Sequence, residues 1–254
     1  MILKNKNILI MGIRNKWSIA WGAAQSAHEQ GANLLFSCAP SEDNSKILEL
    51  VNEIPNAKLY ECDAGSDESI EKLFQDIKID YKEIHGILHS IAHANTEDLR
   101  NNFIETSKEG FLHANEISAY SLVSICRSAK EVLVSGGSVA TLTYYGSEKA
   151  MDGYNVMGVA KSALESSVRY LSKDLGENNI RINAISAGPI KTLSAKGIKD
   201  FSSILDVVEK RAPLKRNVTQ KEIGDVSSFL FSDLSTSITG QVIYADNGFS
   251  ITGI

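Results

Sequence analysis

Short apolar runs alternate along the chain with longer segments in which apolar residues recur at helical spacing. The first run, residues 8–11, has no alternating polar position and is typical of a strand buried on both faces. The expected strands lie at 8–11, 34–36, 59–62, 86–90, 138–142, 180–185 and 242–244. Because strands that alternate with helices form parallel sheets covered on both faces, we expect an α/β fold of this kind.

Helices are expected between these runs. They lie at about 19–30, 45–53, 69–77, 106–133 and 154–175, and a last one begins at the capping-box sequence 219–222 and ends at Phe231. The segment 191–216 has helical spacing that Gly197 and Pro213 interrupt. No linker rich in proline, glycine or serine divides the 254 residues, so we expect one domain over 1–254.

Composition narrows the functional classes. Hydrophobic residues make up 43% of the chain and its net charge is -5, a balance that argues against nucleic-acid binding and a basic membrane face. Cys38, Cys62 and Cys126 lack metal-ligand spacing, so we expect free thiols in a reducing compartment and no metal. There is no signal-peptide core and no stretch near the ~20 apolar residues of a membrane span. We expect a cytoplasmic protein.

One pair of side chains suggests acid–base chemistry. Tyr154 and Lys161 are almost two helical turns apart, so they share one face of the helix expected there. A lysine beside a tyrosine favours charge on the phenol oxygen and makes the phenol a better acid. Such a pair can stabilise a carbonyl oxygen that becomes anionic. A buried tyrosine and a solvated lysine at chance spacing explain the same residues, and the pair alone leaves both interpretations open.

The turn between the first strand and the first helix is the usual place for the pyrophosphate of a dinucleotide. A helix N-terminus there offers free N–H groups and the positive end of its dipole. Gly12 begins this turn, Ser18 and Ile19 lie at the helix start, and Gly22 lies one turn further on. Because the Gly-x-Gly-x-x-Gly pattern is missing, glycines that merely permit a turn are an equal alternative.

The ends of the next two strands bear on the adenosine half of a dinucleotide. Asp63 can accept a hydrogen bond from an adenine amine or cap the following helix, and the sequence does not decide between these roles. Residues 36–40 contain no acid for a ribose 2′-hydroxyl and no basic side chain for a 2′-phosphate. The motif rule therefore does not distinguish NAD from NADP.

With these pieces placed, the chain resembles, end to end, the enoyl-acyl-carrier-protein reductases of bacterial fatty-acid synthesis. These enzymes are a divergent branch of the short-chain dehydrogenase/reductase superfamily. Ordinary members place the lysine four positions after the tyrosine, whereas six residues separate Tyr154 from Lys161 here, and Tyr144 precedes them. The matching segments are 12–22, 62–63, 89–91, 117–121, 141–146, 154–161, 182–192, 198–201 and 246–250. The resemblance implies a Rossmann-like doubly wound fold with a seven-stranded parallel sheet.

The resemblance also implies a role for each matching residue. Tyr154 would hydrogen-bond the carbonyl oxygen of a thioester, Lys161 would hold the nicotinamide ribose, and Tyr144 would assist in positioning or protonation. The residues that would bind the cofactor are Gly12, Ser18, Ile19, Asp63, Ala64, Ser90, Ile91, Lys161, Ile190 and Thr192. Those that would line the substrate pocket, under a flap at about 191–216, are Ala92, His93, Tyr144, Met157 and Phe201.

The implied reaction is hydride transfer from NADH to the β-carbon of a trans-2-enoyl thioester, carried by acyl carrier protein, during fatty-acid elongation. The implied cofactor is NAD(H), and NADP(H) remains open. Members of the family are usually homotetramers, so we expect a homotetramer.

The loop after the fourth strand departs from the family pattern. Members usually have a phenylalanine two residues past the isoleucine, and His93 stands there, which makes the pocket wall more polar. A second hypothesis is therefore an NAD(P)-dependent reductase of another carbonyl or acyl substrate. Thr141, at the position of the catalytic serine of ordinary short-chain dehydrogenases, permits this hypothesis. A third hypothesis is a non-catalytic dinucleotide-binding protein, which an intact Tyr154, Lys161 and Tyr144 disfavour.

Overall fold

The computed structural model describes residues 1–41, 43–192 and 201–252. Its strands form one sheet in the order β3-β2-β1-β4-β5-β6-β7, and every neighbouring pair is parallel. The strands are β1 Asn7–Met11, β2 Asn33–Cys38, β3 Lys58–Glu61, β4 Ile84–His89, β5 Leu133–Thr143, β6 Arg181–Ala187 and β7 Val242–Ala245. The predicted α/β class, with seven parallel strands and a doubly wound order, is confirmed.

Helices connect the strands. They are α1 Ile19–Glu29, α2 Ser45–Val51, α3 Asp67–Tyr81, α4 Thr96–Arg100, α5 Lys108–Asn115, α6 Ser121–Ala129, α7 Asn155–Gly176, α8 Phe201–Arg211 and α9 Gln220–Phe231. The capping box predicted at the start of α9 is present, because Thr219 and Glu222 each hydrogen-bond the other's backbone N–H. None of the helices in the described ranges has the length and apolar character that crossing a membrane requires.

The helix predicted over 106–133 differs from the observed one in two ways. A π-helical segment, Glu116–Tyr120, separates α5 from α6, and the N-cap of α5 is Ser107. Strand β5 already begins at Leu133, before the strand predicted at 138–142, and continues through Gly136. Gly136 has φ +86, and the pairing of β4 with β5 shifts register nearby, so the glycine allows an irregularity within the strand.

Alternate residues of β1 enter opposite layers of the core. Ile8 and Ile10 pack in the layer beneath α1 and α9, whereas Leu9 and Met11 pack in the layer beneath α3, α6 and α7. All four side chains are fully buried. This placement confirms the prediction that the first apolar run is a strand buried on both faces.

Helices α1 and α9 approach each other through glycine. A Cβ atom added at Gly224 would lie 2.4 Å from the carbonyl oxygen of Gly22, and one at Gly22 would lie 2.6 Å from the backbone of Gln220. Beside this contact, Ser26 donates to the Asp225 carboxylate at 2.7 Å. The close backbone approach requires glycine at both positions and fixes α1, and hence the turn after β1, against the sheet.

The sheet order places a crevice between two neighbouring strands. The chain runs outward from β1 through β2 to β3 and then returns to β4 on the other side of β1. Ligands of open parallel sheets bind at such a switch point, outside the carboxyl ends of the strands. Gly12 follows β1 and Ser90 follows β4, so the two loops expected to bind the cofactor are neighbours.

Replacing Gly224 with alanine is expected to lower the free energy of unfolding by ~1–3 kcal/mol, because the added methyl group meets backbone atoms that cannot move aside. Gly176, the last residue of α7, is the matched control, since a Cβ atom there meets nothing within 4 Å. Gly176→Ala should stabilise the protein by up to ~1 kcal/mol. Urea unfolding measures both changes. Equal effects of the two substitutions would contradict the close packing of α1 on α9.

Candidate active site

Two tyrosine rings are in contact where β5 meets the start of α7. Tyr144 immediately follows β5, and Tyr154 is the N-cap residue of α7. Their ring centroids are 4.9 Å apart with an interplanar angle of 70°, an edge-to-face arrangement that aromatic pairs favour. Burial raises the pKa of Tyr144 to about 12. The structure thus brings together two of the three predicted catalytic side chains.

Glycines make this contact possible. A Cβ atom at Gly146 would lie 2.5 Å from the Tyr154 ring and 3.2 Å from the Tyr144 ring, and one at Gly158 would lie 2.6 Å from the Gly146 carbonyl oxygen. The loop after β5 therefore lies directly on the first turn of α7. Sequence reasoning assigns these glycines no role. Their position on either side of Tyr154 is the one feature of the sequence that could have indicated close packing there.

Lys161 lies on α7 with its side chain buried, so the alternative of a solvated lysine at chance spacing is wrong. Its ammonium donates a hydrogen bond to the carbonyl oxygen of Leu142 at 2.8 Å. Burial lowers the pKa of Lys161 to about 8, although the nearby Glu165 carboxylate opposes this shift. The ammonium is therefore mostly charged at pH 7 and loses its proton in the mildly alkaline range.

The expected effect of Lys161 on the phenol of Tyr154 is wrong for this structure. Burial first, and then Tyr144 and Glu165, raise the pKa of Tyr154 far above its ordinary value. The phenol is accordingly a protonated hydrogen-bond donor rather than an ionised base. The reason is that Tyr154 packs against Tyr144 and the small cluster around Met157, where a phenolate would be poorly solvated. The Lys161 ammonium, in addition, is hydrogen-bonded to a backbone carbonyl.

A buried histidine lies behind the lysine. His89, the last residue of β4, pairs through Nδ1 with the Thr141 hydroxyl at 2.8 Å and through Nε2 with the Ser121 hydroxyl at 2.9 Å. Burial and the charge on Lys161 lower the pKa of His89 to about 3, so the imidazole is neutral. Thr141 is fully buried in this network and holds His89 instead of lining an open site. Its placement disfavours the hypothesis of an ordinary serine-type carbonyl reductase.

The turn predicted to bind a pyrophosphate contacts the end of β4. Gly12 has φ +81, and a Cβ atom there would lie 2.2 Å from the Ser90 carbonyl oxygen and 3.2 Å from Ile91. Gly12 N–H also donates to the Ser37 carbonyl oxygen at 3.0 Å, which ties the turn to β2. Both the positive φ and the lack of space for a side chain require glycine at position 12. The glycine therefore does more than permit a turn.

Ser18 and Ile19 occupy the start of α1, as predicted. Ser18 is the N-cap residue: its hydroxyl accepts from the Trp21 N–H at 3.3 Å and donates to the Asn15 carbonyl oxygen at 2.7 Å. Ile19 is the first helical residue and packs on the core layer beneath α1. The helix N-terminus is thus formed by local hydrogen bonds near Gly12.

At the end of β3 the structure separates the two roles considered for Asp63. The N-cap of α3 is Ser66, whose hydroxyl accepts from the Ser69 N–H. Asp63 instead accepts from the Gly65 N–H at 2.9 Å through one carboxylate oxygen, and its side chain is exposed. The helix-cap role therefore belongs to Ser66. Asp63 and the partly exposed Ala64 stay in the loop where an adenine contact was predicted.

The loop after β4 carries the predicted substrate contacts. The Ser118 hydroxyl donates to the backbone carbonyl oxygen of His93 and accepts from its backbone N–H. The π-helical segment therefore holds the loop through both backbone polar groups of His93. Ala94 and Tyr154 pack against a small cluster that includes Met157. Ala92 is exposed. Sequence reasoning misses Ser118, whose only signal is its place in the matching segment 117–121.

His93 is paired with a second histidine. Its Nδ1 lies 2.8 Å from Nε2 of His113 on α5, and the rings meet edge to face. His93 is exposed, but partial desolvation by its neighbours, followed by the charges of His113 and Arg14, lowers its pKa. The expected loop histidine is therefore a neutral ring hydrogen-bonded across to α5.

The remaining predicted residues lie beyond β6 and at the start of α8. Ile190 is half-buried against the core layer beneath α1, and Thr192 ends the described segment. Phe201 is the first residue of α8 and is half-buried. The predicted flap at 191–216 includes α8, while its residues 193–200 lie outside the described part of the chain.

The sheet order and the Tyr154–Lys161 pair define the class of short-chain dehydrogenases/reductases. The sequence matches the family Enoyl-(Acyl carrier protein) reductase over residues 12–250. One relative is FabI of Bacillus subtilis, whose name is enoyl-[acyl-carrier-protein] reductase [NADH]. It is 50% identical to this chain over 252 residues, 98% of each chain. Another is FabI of Staphylococcus aureus, whose name specifies NADPH. It is 51% identical to this chain over 250 residues, 97% of each chain.

A solved structure gives the same result. The Bacillus cereus enoyl-acyl carrier protein reductase with NADP+ and indole naphthyridinone matches with a TM-score of 0.97 and 48% identity, covering 100% of this chain and 99% of that chain. This chain belongs to the enoyl-(acyl carrier protein) reductase family.

Replacing Gly12 with alanine is expected to weaken dinucleotide binding by at least tenfold, because the methyl group would meet the Ser90 carbonyl oxygen and force the two loops apart. Gly136→Ala is the matched control. Gly136 has a similar φ of +86 but open space around it, so it shares the backbone strain of ~1–2 kcal/mol without the clash. Titration of NADH fluorescence measures both. Equal affinities of the two variants would contradict the placement of the cofactor at this turn.

Proposed function

We propose that this chain is a nicotinamide-dependent enoyl-acyl-carrier-protein reductase that reduces trans-2-enoyl thioesters in fatty-acid elongation. The observation that carries the proposal is the edge-to-face pair of Tyr144 and Tyr154, with the buried Lys161 further along the same helix, in a member of this family. When bound, the reduced nicotinamide supplies a hydride for the β-carbon of the substrate.

Tyr154 is the donor to the substrate oxygen. Negative charge develops on the thioester oxygen as the β-carbon accepts the hydride, and a protonated phenol can hydrogen-bond that oxygen. The raised pKa of Tyr154 keeps the proton on the phenol at neutral pH. Because Tyr154 is only partly exposed, competition from water for its hydrogen bond is reduced. Tyr144, in edge-to-face contact, fixes the orientation of the Tyr154 ring.

The residues near the switch point fit a dinucleotide. The close approach of Gly12 to Ser90 lets backbone groups of two loops face one ligand, and the N-terminus of α1 follows within the same turn. We assign the pyrophosphate and ribose to Gly12, Ser18, Ile19, Ser90 and Ile91. The charged Lys161 suits the hydroxyl groups of the nicotinamide ribose. Further contacts are assigned to Asp63 and Ala64 at the adenine, and to Ile190 and Thr192 at the nicotinamide.

The cofactor that we propose is NADH, and NADPH is the alternative that the assay below compares with it. Strand β2 ends in Ser37 and Cys38, both buried, and Ala39 follows. None of these side chains repels or attracts a 2′-phosphate by charge. Relatives of similar identity are named for NADH in one case and for NADPH in the other.

The substrate pocket of the proposal is lined by Ala92, His93, Tyr144, Met157 and Phe201. We treat residues 1–254 as one domain, in which α8, within the described part of the predicted flap at 191–216, covers the acyl chain. Acyl carrier protein is the proposed carrier of the substrate, and the cytoplasm is the proposed location.

A homotetramer is the proposed assembly. Leu112 on α5, together with Val159 and Tyr170 on α7, exposes apolar surface that a second copy of the chain would cover. Strand β7 also ends one side of the sheet, with Tyr244 exposed. Light scattering after gel filtration tests the assembly, and a monomeric mass would contradict it.

The function is tested by the absorbance of the reduced nicotinamide, followed with purified protein, NADH or NADPH, and a trans-2-enoyl thioester. Loss of absorbance with the enoyl thioester is expected, and a faster loss with NADH supports the cofactor assignment. A folded protein that binds NADH but reduces no enoyl thioester would contradict the proposed substrate. Reduction of ketones alone would favour the second hypothesis.

Replacing Tyr154 with phenylalanine is expected to lower kcat by ~100–1000-fold, because it removes one positioned donor to the developing oxyanion. Affinity for NADH should change little, since the ring and its contact with Tyr144 remain. Tyr81→Phe, at the last residue of α3 and at the opposite edge of the sheet, is the control and should keep full activity. Steady-state kinetics measures both variants. Full turnover by the Tyr154 variant would remove the assigned role.

A further inference from the structure

One buried carboxylate near the site has no part in the mechanism above. Glu165 lies on α7, one helical turn after Lys161, and its side chain is buried. Buried carboxylates are costly unless they are hydrogen-bonded and paired with positive charge. Its neighbours therefore indicate what it does.

Glu165 is bonded to the end of β5. The Thr143 hydroxyl, itself buried, donates to the Glu165 carboxylate at 2.6 Å. The preceding residue, Leu142, accepts the hydrogen bond of Lys161 at 2.8 Å. Two consecutive residues of β5 are thus joined to two side chains of α7 that lie one turn apart. Because Tyr144 follows Thr143 directly, this pair of hydrogen bonds fixes where Tyr144 leaves the sheet.

Glu165 also supplies charge to the site. Lys161 faces His89 on β4, and Glu165 faces Tyr154 at the start of α7 and Tyr244 on β7. Tyr144 contacts Tyr154. The pKa of His89 is lowered and those of the tyrosines are raised, so these groups are neutral at pH 7. Within this group the charge that offsets the Lys161 ammonium comes from Glu165.

We propose that Glu165 is a positioning residue of the reductase site, which keeps Lys161 charged and, through Thr143, holds the end of β5 so that Tyr144 and Tyr154 stay in contact. This inference rests on the proposed function, since the charge on Lys161 matters when it holds the nicotinamide ribose. Glu165 itself does not touch the reacting atoms.

The two contributions of Glu165 can be separated. Glu165→Gln keeps an oxygen that accepts from Thr143 but removes the charge. Thr143→Val removes the hydrogen bond but leaves the carboxylate. The first change should affect the ionisation of Lys161, and the second should affect the geometry of the tyrosine pair.

The direction of the pH effect follows from the charge. The Glu165 carboxylate raises the pKa of Lys161, so its removal lets that pKa fall below about 8. Activity and NADH affinity should decline as the pH rises through the pKa of Lys161. In the Glu165→Gln variant this decline should move to lower pH by about one pH unit, the size of shift that an adjacent charge produces. In the Thr143→Val variant kcat should fall while the decline stays at the wild-type pH.

The experiment measures kcat, kcat/KM and NADH affinity for wild type and both variants. The pH runs from about 6 to about 10, which is roughly two units either side of the Lys161 pKa of about 8. Circular dichroism verifies folding. A displaced decline for Glu165→Gln alone supports the proposal, and an unchanged decline overturns it. If Glu165→Gln does not fold, Glu165→Met, of similar size and without charge, replaces it. The NADH-binding profile is informative even if the wild type reduces no enoyl thioester, so failure of the proposed function is distinguishable from failure of this inference.

Discussion

The parallel direction of all seven strands is the constraint on which the site depends. Because every strand ends at the same edge, the loops after β1, β4 and β5 are brought together although they are far apart in sequence. The central strands must be buried on both faces for such a sheet to form, and alternate residues of β1 satisfy both layers. The candidate chemistry is therefore located by the packing of apolar side chains that take no part in it.

Burial gives the polar groups at this edge their properties. His89, Lys161 and Glu165 are almost inaccessible to water, and each is held by a hydrogen bond to a neighbouring strand or helix. In a site of low polarity each proton is held by local contacts rather than by solvent. The phenol of Tyr154 stays protonated and the imidazole of His89 stays neutral for this reason. The site is thus organised in advance around one positive charge, that of Lys161, which titrates in the mildly alkaline range.

Sequence reasoning finds most of the fold and much of the site, for identifiable reasons. Apolar runs without alternation locate the strands, and the spacing of Tyr144, Tyr154 and Lys161 points to the candidate catalytic residues. The acceptor of Lys161 is not predictable, because it is the backbone carbonyl of Leu142, which any residue would provide. The burial of Thr141 is also missed, since it depends on His89 of another strand. Periodicity likewise gives no sign of the π-helical segment, because its hydrogen bonds differ while its apolar residues do not.

The π-helical segment Glu116–Tyr120 lets the two parts of one continuous helical stretch pack against two different clusters. Residues before it, such as Ala114, pack in the small cluster around Met157, whereas residues after it, such as Leu122, pack in the core of the sheet. Its wider turn changes the angular phase between the two parts. A gain or loss of one residue in this turn would rotate α5, and with it the anchoring of the His93 loop, while α6 kept its place. This segment is therefore a point at which a one-residue change can redirect the loop beside the tyrosines without rebuilding the core.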